Sequence, residues 1–400
     1  MTFSDFNFEP KLMEGLLSMG FEKPTPIQEQ AIPIILKNHD IIACAQTGTG
    51  KTAAYLLPLI NKIIGAHSNS ISTLVIVPTR ELAIQIDEAL QGFAYFAGVS
   101  NIAIYGGTDG RSFEQEKKAL SQGADIIVAT PGRLISHLNM GYVKIDKLQH
   151  LVLDEADRML DMGFSDDLHK IISYLPKQRQ TLLFSATMPE KIRGLANRIL
   201  NKPEQINIAV SKPAEGVMQG AYVVYDTQKI GLLKELLKGK NLASILIFAS
   251  TKDKVKDLEK ELKKLHFNVS AIHSDLDQEQ RNTVLRNFKS KKLQTLVATD
   301  ILSRGIDIDS IGLVINYDVP GDAEDYIHRV GRTARAESTG VALTFINPLD
   351  QRKFKRIEEL IGSEIKKVPV PSHLGKTPEY APEKQEERKP FRSSGGKRRR

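Results

Sequence analysis

Short apolar runs rich in β-branched residues recur along the chain, at 41–45, 74–77, 125–129, 151–153 and 181–184, then at 245–249, 269–272, 295–298, 313–316 and 341–346. Helix-length stretches separate them, and in several, such as 81–90 and 254–265, apolar residues return at three- and four-residue spacing. A run apolar on both faces belongs to a strand covered on both sides, and strands alternating with helices build mostly parallel sheets with helices on both faces. Two such sets predict two α/β domains, at 1–205 and 217–368. A linker at 206–216 joins them, where Pro213 and Gly216 interrupt any periodicity. A last helix at 350–361 should stop at Gly362. From 369 to 400 the chain is rich in Pro, Lys, Glu and Arg, which predicts a disordered basic tail.

Polar residues are not scattered evenly over this frame. Clusters of Gly, Thr, Asp and Arg fall directly after the apolar runs, where open α/β sheets bind ligands. Two domains carrying such clusters can face each other across a cleft.

Composition narrows the class. With 41% apolar and 26% charged residues, this is the make-up of a globular protein with a large core. No apolar run is long enough to span a bilayer, and the start Met1-Thr2-Phe3-Ser4-Asp5 lacks the basic and apolar pattern of a secretory signal. A cytoplasmic protein without membrane contact is expected. The sole cysteine, Cys44, excludes an internal disulfide framework and a thiolate metal site, and its apolar run predicts a buried strand position. The net charge of +7 is unevenly placed: 376–400 carries nine Lys/Arg against four Glu, leaving the body close to neutral. Such a body would grip a phosphate backbone through a local patch or backbone amides, and the tail serves either nucleic acid or solubility.

The sharpest chemical signal follows the first run: Ala45-Gln46-Thr47-Gly48-Thr49-Gly50-Lys51-Thr52, then a helical stretch. This is a phosphate loop with Ala45 in the place of the common first glycine. Gly48 and Gly50 let backbone N–H groups turn inward to cradle phosphate oxygens. Lys51 should reach the β- and γ-phosphates of ATP, and the Thr52 hydroxyl should ligate Mg²⁺. The run at 151–153 ends in Asp154 and Glu155. Asp154 would hold Mg²⁺ through water, and Glu155 would orient and deprotonate the attacking water.

With Asp154-Glu155-Ala156-Asp157 in place, the chain resembles the DEAD-box ATP-dependent RNA helicases of helicase superfamily two, over about 3–361 and with the motifs in family order. The resemblance implies two tandem RecA-like domains. Gly20-Phe21-Glu22-Lys23-Pro24-Thr25-Pro26-Ile27-Gln28 is similar to the family's glutamine motif, in which Gln28 would read the adenine edge and Phe21 would pack near the base. Phe3 is its upstream aromatic or equally a core residue. Pro78, Thr79 and Arg80, then Gly106 and Gly107, then Thr130, Pro131, Gly132 and Arg133 match RNA-contacting motifs. Their hydroxyls, amides and guanidinium groups suit phosphate and sugar oxygens without reading bases. Ser185-Ala186-Thr187 matches the motif that couples hydrolysis to strand separation, and its hydroxyls could equally bond Asp157 in a structural network.

In the second domain the resemblance assigns Gln278, Arg281, Thr299 and Asp300 to RNA, Gly305 and Asp307 to the nucleotide, and His328 to coupling. Arg332 and Arg335 match the family's arginine fingers, which neutralise charge developing on the γ-phosphate. The segment after 245–249 reads Ser250-Thr251-Lys252-Asp253, without a phosphate loop, so this domain is expected to have no nucleotide site of its own. The compact start, Thr333-Ala334-Arg335 and the short basic tail look most like the bacterial RhlE-type branch.

What the resemblance implies is an RNA-stimulated ATPase that opens short duplexes or remodels RNA–protein complexes. It would use ATP and Mg²⁺, bind single-stranded and short duplex RNA with little regard to sequence, and act as a monomer on ribosomal precursors or with RNA-decay proteins. Two alternatives share the same motifs: an ATP-dependent RNA clamp with little unwinding, and a DNA-directed translocase of the same superfamily.

Overall fold

The first apolar run becomes β1 (Ile41–Cys44), and its side chains alternate between two cores: Ile41 and Ala43 pack with one helical layer, Ile42 with the other. The same period-two alternation repeats in β2 (Thr73–Ile76), β4 (Ile126–Ala129), β5 (His150–Leu153) and β6 (Gln180–Ser185). A slip of one residue would exchange the faces of a whole strand, so the two cores hold the register. With β3 (Asn101–Ile104) and β7 (Glu204–Asn207) at the edges, these strands form an all-parallel sheet in the order β3-β4-β2-β5-β6-β1-β7.

The computed structural model describes residues 1–45, 48–65, 70–107, 110–208, 217–238, 244–273, 275–299, 311–333 and 340–383. Gln46, Thr47, Asp300, Gly305, Asp307, Arg335 and the side chain of Gln278 lie outside the described residues. The chain divides into two units, with the break between Lys212 and Pro213, inside the expected linker. A first domain ending at 205 would cut β7, whose Gln205 and Ile206 pair with Ile42 and Ala43. Among the described residues no helix is long and apolar enough to cross a membrane.

The second unit holds a parallel sheet in the order β10-β11-β9-β12-β13-β8. Its strands are β8 (Val217–Val223), β9 (Ile245–Phe248), β10 (Val269–Ile272), β11 (Thr295–Ala298), β12 (Leu313–Asn316) and β13 (Gly340–Ile346). The expected last helix is found at Gln351–Ile361 and ends at Gly362, φ 73°. The expected onset of disorder at 369 is corrected by the packing beyond that helix. Lys367 bridges to Ala221 on the edge strand β8, and Val368, Val370 and Leu374 pack on the core. Gln351 then clamps the backbone on both sides of Tyr380, whose hydroxyl donates to Glu358 (2.7 Å). Apolar residues spaced among the prolines supply the burial that the composition of this stretch concealed.

His150, at the amino end of β5, is buried and pairs with the Thr73 hydroxyl at 3.3 Å. Burial first, and the neighbouring Lys62 second, push its pKa down to about 4. The unfolded chain then binds a proton that the fold refuses. This contribution to stability is complete above about pH 6.5 and is lost progressively as the pH falls toward 4. Between pH 7 and pH 5 the first unit should lose about 2 kcal/mol through this group. Urea midpoints of His150→Gln against the parent should show a flatter acid limb in the variant, and equal slopes would refute the assignment.

Candidate active site

Strands β1, β6 and β5 are consecutive in the sheet, so the loops at their carboxyl ends lie side by side, and Ala45 N–H donates to the Ser185 carbonyl at 3.0 Å. After β1 the chain turns through Gly48 and Gly50, at φ 82° and 90°, values that side chains resist. Gly50 caps helix α1 (Lys51–Ile63), whose start supplies free N–H groups and partial positive charge. The Gln28 amide donates to the Gly50 carbonyl (3.1 Å) and accepts from Thr25 N–H (2.9 Å). A Cβ at position 50 would press on that amide, so glycine is needed there twice over. Lys51 is buried and donates to the Ala45 carbonyl that opens the loop (2.7 Å). Phe3 is a core residue edge-on to Phe21, which in turn meets Phe93 edge-on, so both aromatics of the glutamine segment are braced from below.

Asp154, at the end of β5, is 2% exposed. One carboxylate oxygen accepts Glu155 N–H (2.9 Å) and the other accepts the Tyr55 hydroxyl (2.9 Å). Burial lifts its pKa to about 6, against the pull of Lys51 and with a push from Glu155. A carboxylate so raised is under-neutralised and favours a cation beside it. Thr52 stands in the first turn of α1, and Tyr55 one turn on donates to Asp154, so the phenol joins the helix that carries Thr52 to the end of β5. One hydroxyl and one carboxylate suit magnesium, which keeps water and phosphate oxygens in its shell.

Glu155 occupies the left-handed region at φ 50°, a strain on the order of 1–3 kcal/mol for a residue with a side chain. It caps the short helix Ala156–Asp161, and its carboxylate meets the buried Arg158 at 3.0 Å. Asp157 accepts from Ala186 N–H (3.1 Å), Thr187 N–H (2.9 Å) and the Thr187 hydroxyl (2.9 Å), and its own N–H donates to Ser185 Oγ (3.3 Å). The acidic loop and the Ser-Ala-Thr loop are therefore one bonded unit. Tyr55 and Arg158 were missed in the sequence. Helical spacing pointed to both, since Tyr55 lies three and four residues after Thr52 and Lys51, and Arg158 three after Glu155.

The other half of the sheet, β3-β4-β2, carries the remaining expected motifs of the first unit at the same ends. Thr79 caps the helix Arg80–Phe93 with its hydroxyl, Pro78 and Pro131 are buried, and Thr130 is half-buried. The Arg80 guanidinium lies over the Tyr105 ring at 5.4 Å and against Gly107, whose φ of 77° and lack of Cβ admit it. Arg133 pairs with the buried Glu116 (2.8 Å) and covers the Phe113 ring (4.8 Å), while Glu116 also holds His137 (2.7 Å). The exposed backbone here belongs to Gly107 and Gly132, with Gly106 half-exposed.

In the second unit Thr299 follows β11, Gln278 and Arg281 lie in the first turn of the helix Gln278–Lys289, and His328 is 4.0 Å from Asp325. Arg332 is half-buried, and its carbonyl accepts Ile311 N–H (3.2 Å). After β9, where a phosphate loop would begin, Asp318 takes the anion's place. It accepts from Ser250 N–H (2.9 Å), the Ser250 hydroxyl (2.7 Å), Lys254 and Lys229.

The DEAD/DEAH box helicase family matches residues 25–195, and the helicase conserved C-terminal domain matches residues 228–337. The chain is 42% identical over 371 residues to the ATP-dependent RNA helicase CshA of Listeria monocytogenes, covering 92% of this chain and 71% of that one. It is 40% identical over 376 residues to the ATP-dependent RNA helicase DeaD of Haemophilus influenzae, covering 94% of this chain and 61% of that one. The solved structure of S. cerevisiae Dbp5 bound to RNA and ADP BeF3 superposes with a TM-score of 0.83 at 30% identity, covering 93% and 96% of the two chains. These bacterial relatives carry the names CshA and DeaD, so the RhlE-type branch does not follow; a compact start and a basic tail are too short to separate branches.

Proposed function

The chain belongs to the DEAD-box family of ATP-dependent RNA helicases, and on that premise we propose that magnesium-ATP hydrolysis in its first unit drives the local opening of short RNA duplexes. The observation that supports this best is the division of one sheet. Strands β5, β6 and β1 present an acidic loop bonded to a Ser-Ala-Thr loop beside a phosphate loop. Strands β3, β4 and β2 present exposed glycine backbone suited to phosphate and sugar oxygens.

In this reading Lys51 and the loop amides hold the phosphates, Thr52 and Asp154 hold magnesium, and Glu155 accepts the proton of the attacking water. Magnesium supplies charge neutralisation between the phosphate oxygens when bound. Gln28 recognises adenine from a position already tied to the loop through Gly50. Arg332 and Arg335 act as arginine fingers, and Gln278, Arg281, Thr299 and Asp300 extend the RNA contacts. Among the described residues of the second unit, Asp318 takes up the donors of the loop after β9, which supports a single nucleotide site in the first unit.

ATPase turnover measured with unstructured RNA and with DNA of the same sequence tests the reading. RNA should raise turnover about tenfold, within the usual range for coupled sites, and DNA should not. Equal stimulation by DNA would overturn the RNA assignment. Stimulation by RNA without ATP-dependent release of a short duplex would favour the clamp.

A further inference from the structure

Tyr55 has no part in the nucleotide site as read from its motifs, yet it sits at the centre of that site's polar network. Its side chain is fully buried, with the ring tilted against Phe184 at 5.1 Å. Its hydroxyl donates to Asp154 (2.9 Å). The bond joins two elements, the helix after the phosphate loop, which also carries Thr52 in its first turn, and the end of β5. A buried phenol must find a polar partner, and packing alone would be met by phenylalanine. We propose that Tyr55 is a positioning residue for the metal side of the site, its hydroxyl fixing the Asp154 carboxylate in the orientation that magnesium requires.

Asp154 has one oxygen tied to Glu155 N–H and the other to Tyr55, so the plane of the carboxylate is set from both ends. Without the phenol, one oxygen loses its hydrogen-bond donor and the carboxylate is held from one end only. Groups that orient a metal ligand from behind commonly change metal affinity by about 10–100-fold. The inference rests on the reading that Thr52 and Asp154 hold magnesium.

Calorimetric titration of ADP with and without magnesium separates the possibilities. The parent should bind magnesium-ADP more tightly than ADP alone; if it does not, the magnesium reading itself fails, and the role of Tyr55 with it. Tyr55→Phe should bind ADP alone as the parent does but lose about tenfold of the gain that magnesium confers. An undiminished magnesium gain would overturn the proposal, and so would an equal loss with and without the metal, which would mark Tyr55 as packing only. Thermal melting checks that the variant is folded. If Tyr55→Phe does not fold, Asp154→Asn is compared with the Asp154→Asn/Tyr55→Phe pair. With no carboxylate to fix, the added substitution should leave magnesium dependence unchanged, and a further loss would overturn the assignment.

Discussion

Glu155→Gln should lower ATP turnover by about two to four orders of magnitude while ATP-dependent RNA binding persists. The amide keeps the size of the carboxylate and still accepts from Arg158, so the loop should hold its shape. What is lost is the ability to take a proton. The left-handed backbone at position 155 supports this choice, because strain at a residue with a side chain persists where the surroundings over-determine it, commonly at reacting groups. Arg158 adds a detail that the motif alone did not carry. Glu155 is ion-paired in a buried setting, so its carboxylate is aimed rather than mobile. Single-turnover hydrolysis and RNA binding with a non-hydrolysable ATP analogue measure the two halves. Turnover within a few-fold of the parent would remove Glu155 as the base.

The ten apolar runs correspond to ten strands, because strands covered on both faces must be apolar at consecutive positions. The three strands without such a run, β3, β7 and β8, are all at sheet edges. In β7, Glu204, Gln205 and Asn207 are exposed and only Ile206 is buried, and β8 carries Gln219 and Gly220, so the pattern that marks a covered strand is missing. Strand order was not legible, since β1 lies between β6 and β7, far apart in sequence. Among site residues, those in the phosphate loop and the acidic run were readable because backbone and metal chemistry restrict the residue type. Arg133 was readable as a cation but not as a partner of Glu116, because ion pairing depends on how helices 110–122 and 131–139 pack. Tyr55 looked like one more apolar position in a buried helix until its hydroxyl was placed.

The second large effect belongs to Asp318. Four donors converge on its carboxylate, among them Lys229, which is 1% exposed, and the Lys229 ammonium leads the influences that outweigh burial and hold the Asp318 pKa well below the usual carboxylate range. Asp318→Ala leaves a buried ammonium with Asp226, whose side chain is 63% exposed, as its one carboxylate partner among the described residues. Removing one partner of a buried pair costs about 3–5 kcal/mol, whereas replacing both by apolar groups is often neutral. The calorimetric transition of the second unit should therefore fall steeply in Asp318→Ala and recover in Lys229→Met/Asp318→Leu. In the parent this contribution is present above about pH 4 and is lost as acid protonates the carboxylate. The same carboxylate fills the position of an anion against Ser250 N–H, so its removal should create what the parent lacks. Phosphate added to Asp318→Ala should raise the melting temperature of its second unit while leaving the parent's second unit unmoved, because in the variant the Ser250 N–H and the Lys229 and Lys254 ammonium groups have lost their carboxylate. A loss below about 1 kcal/mol, or a double variant worse than the single, would mean that the network carries no net buried-charge energy. A variant indifferent to phosphate would mean that more than one side chain keeps nucleotide out of the second unit.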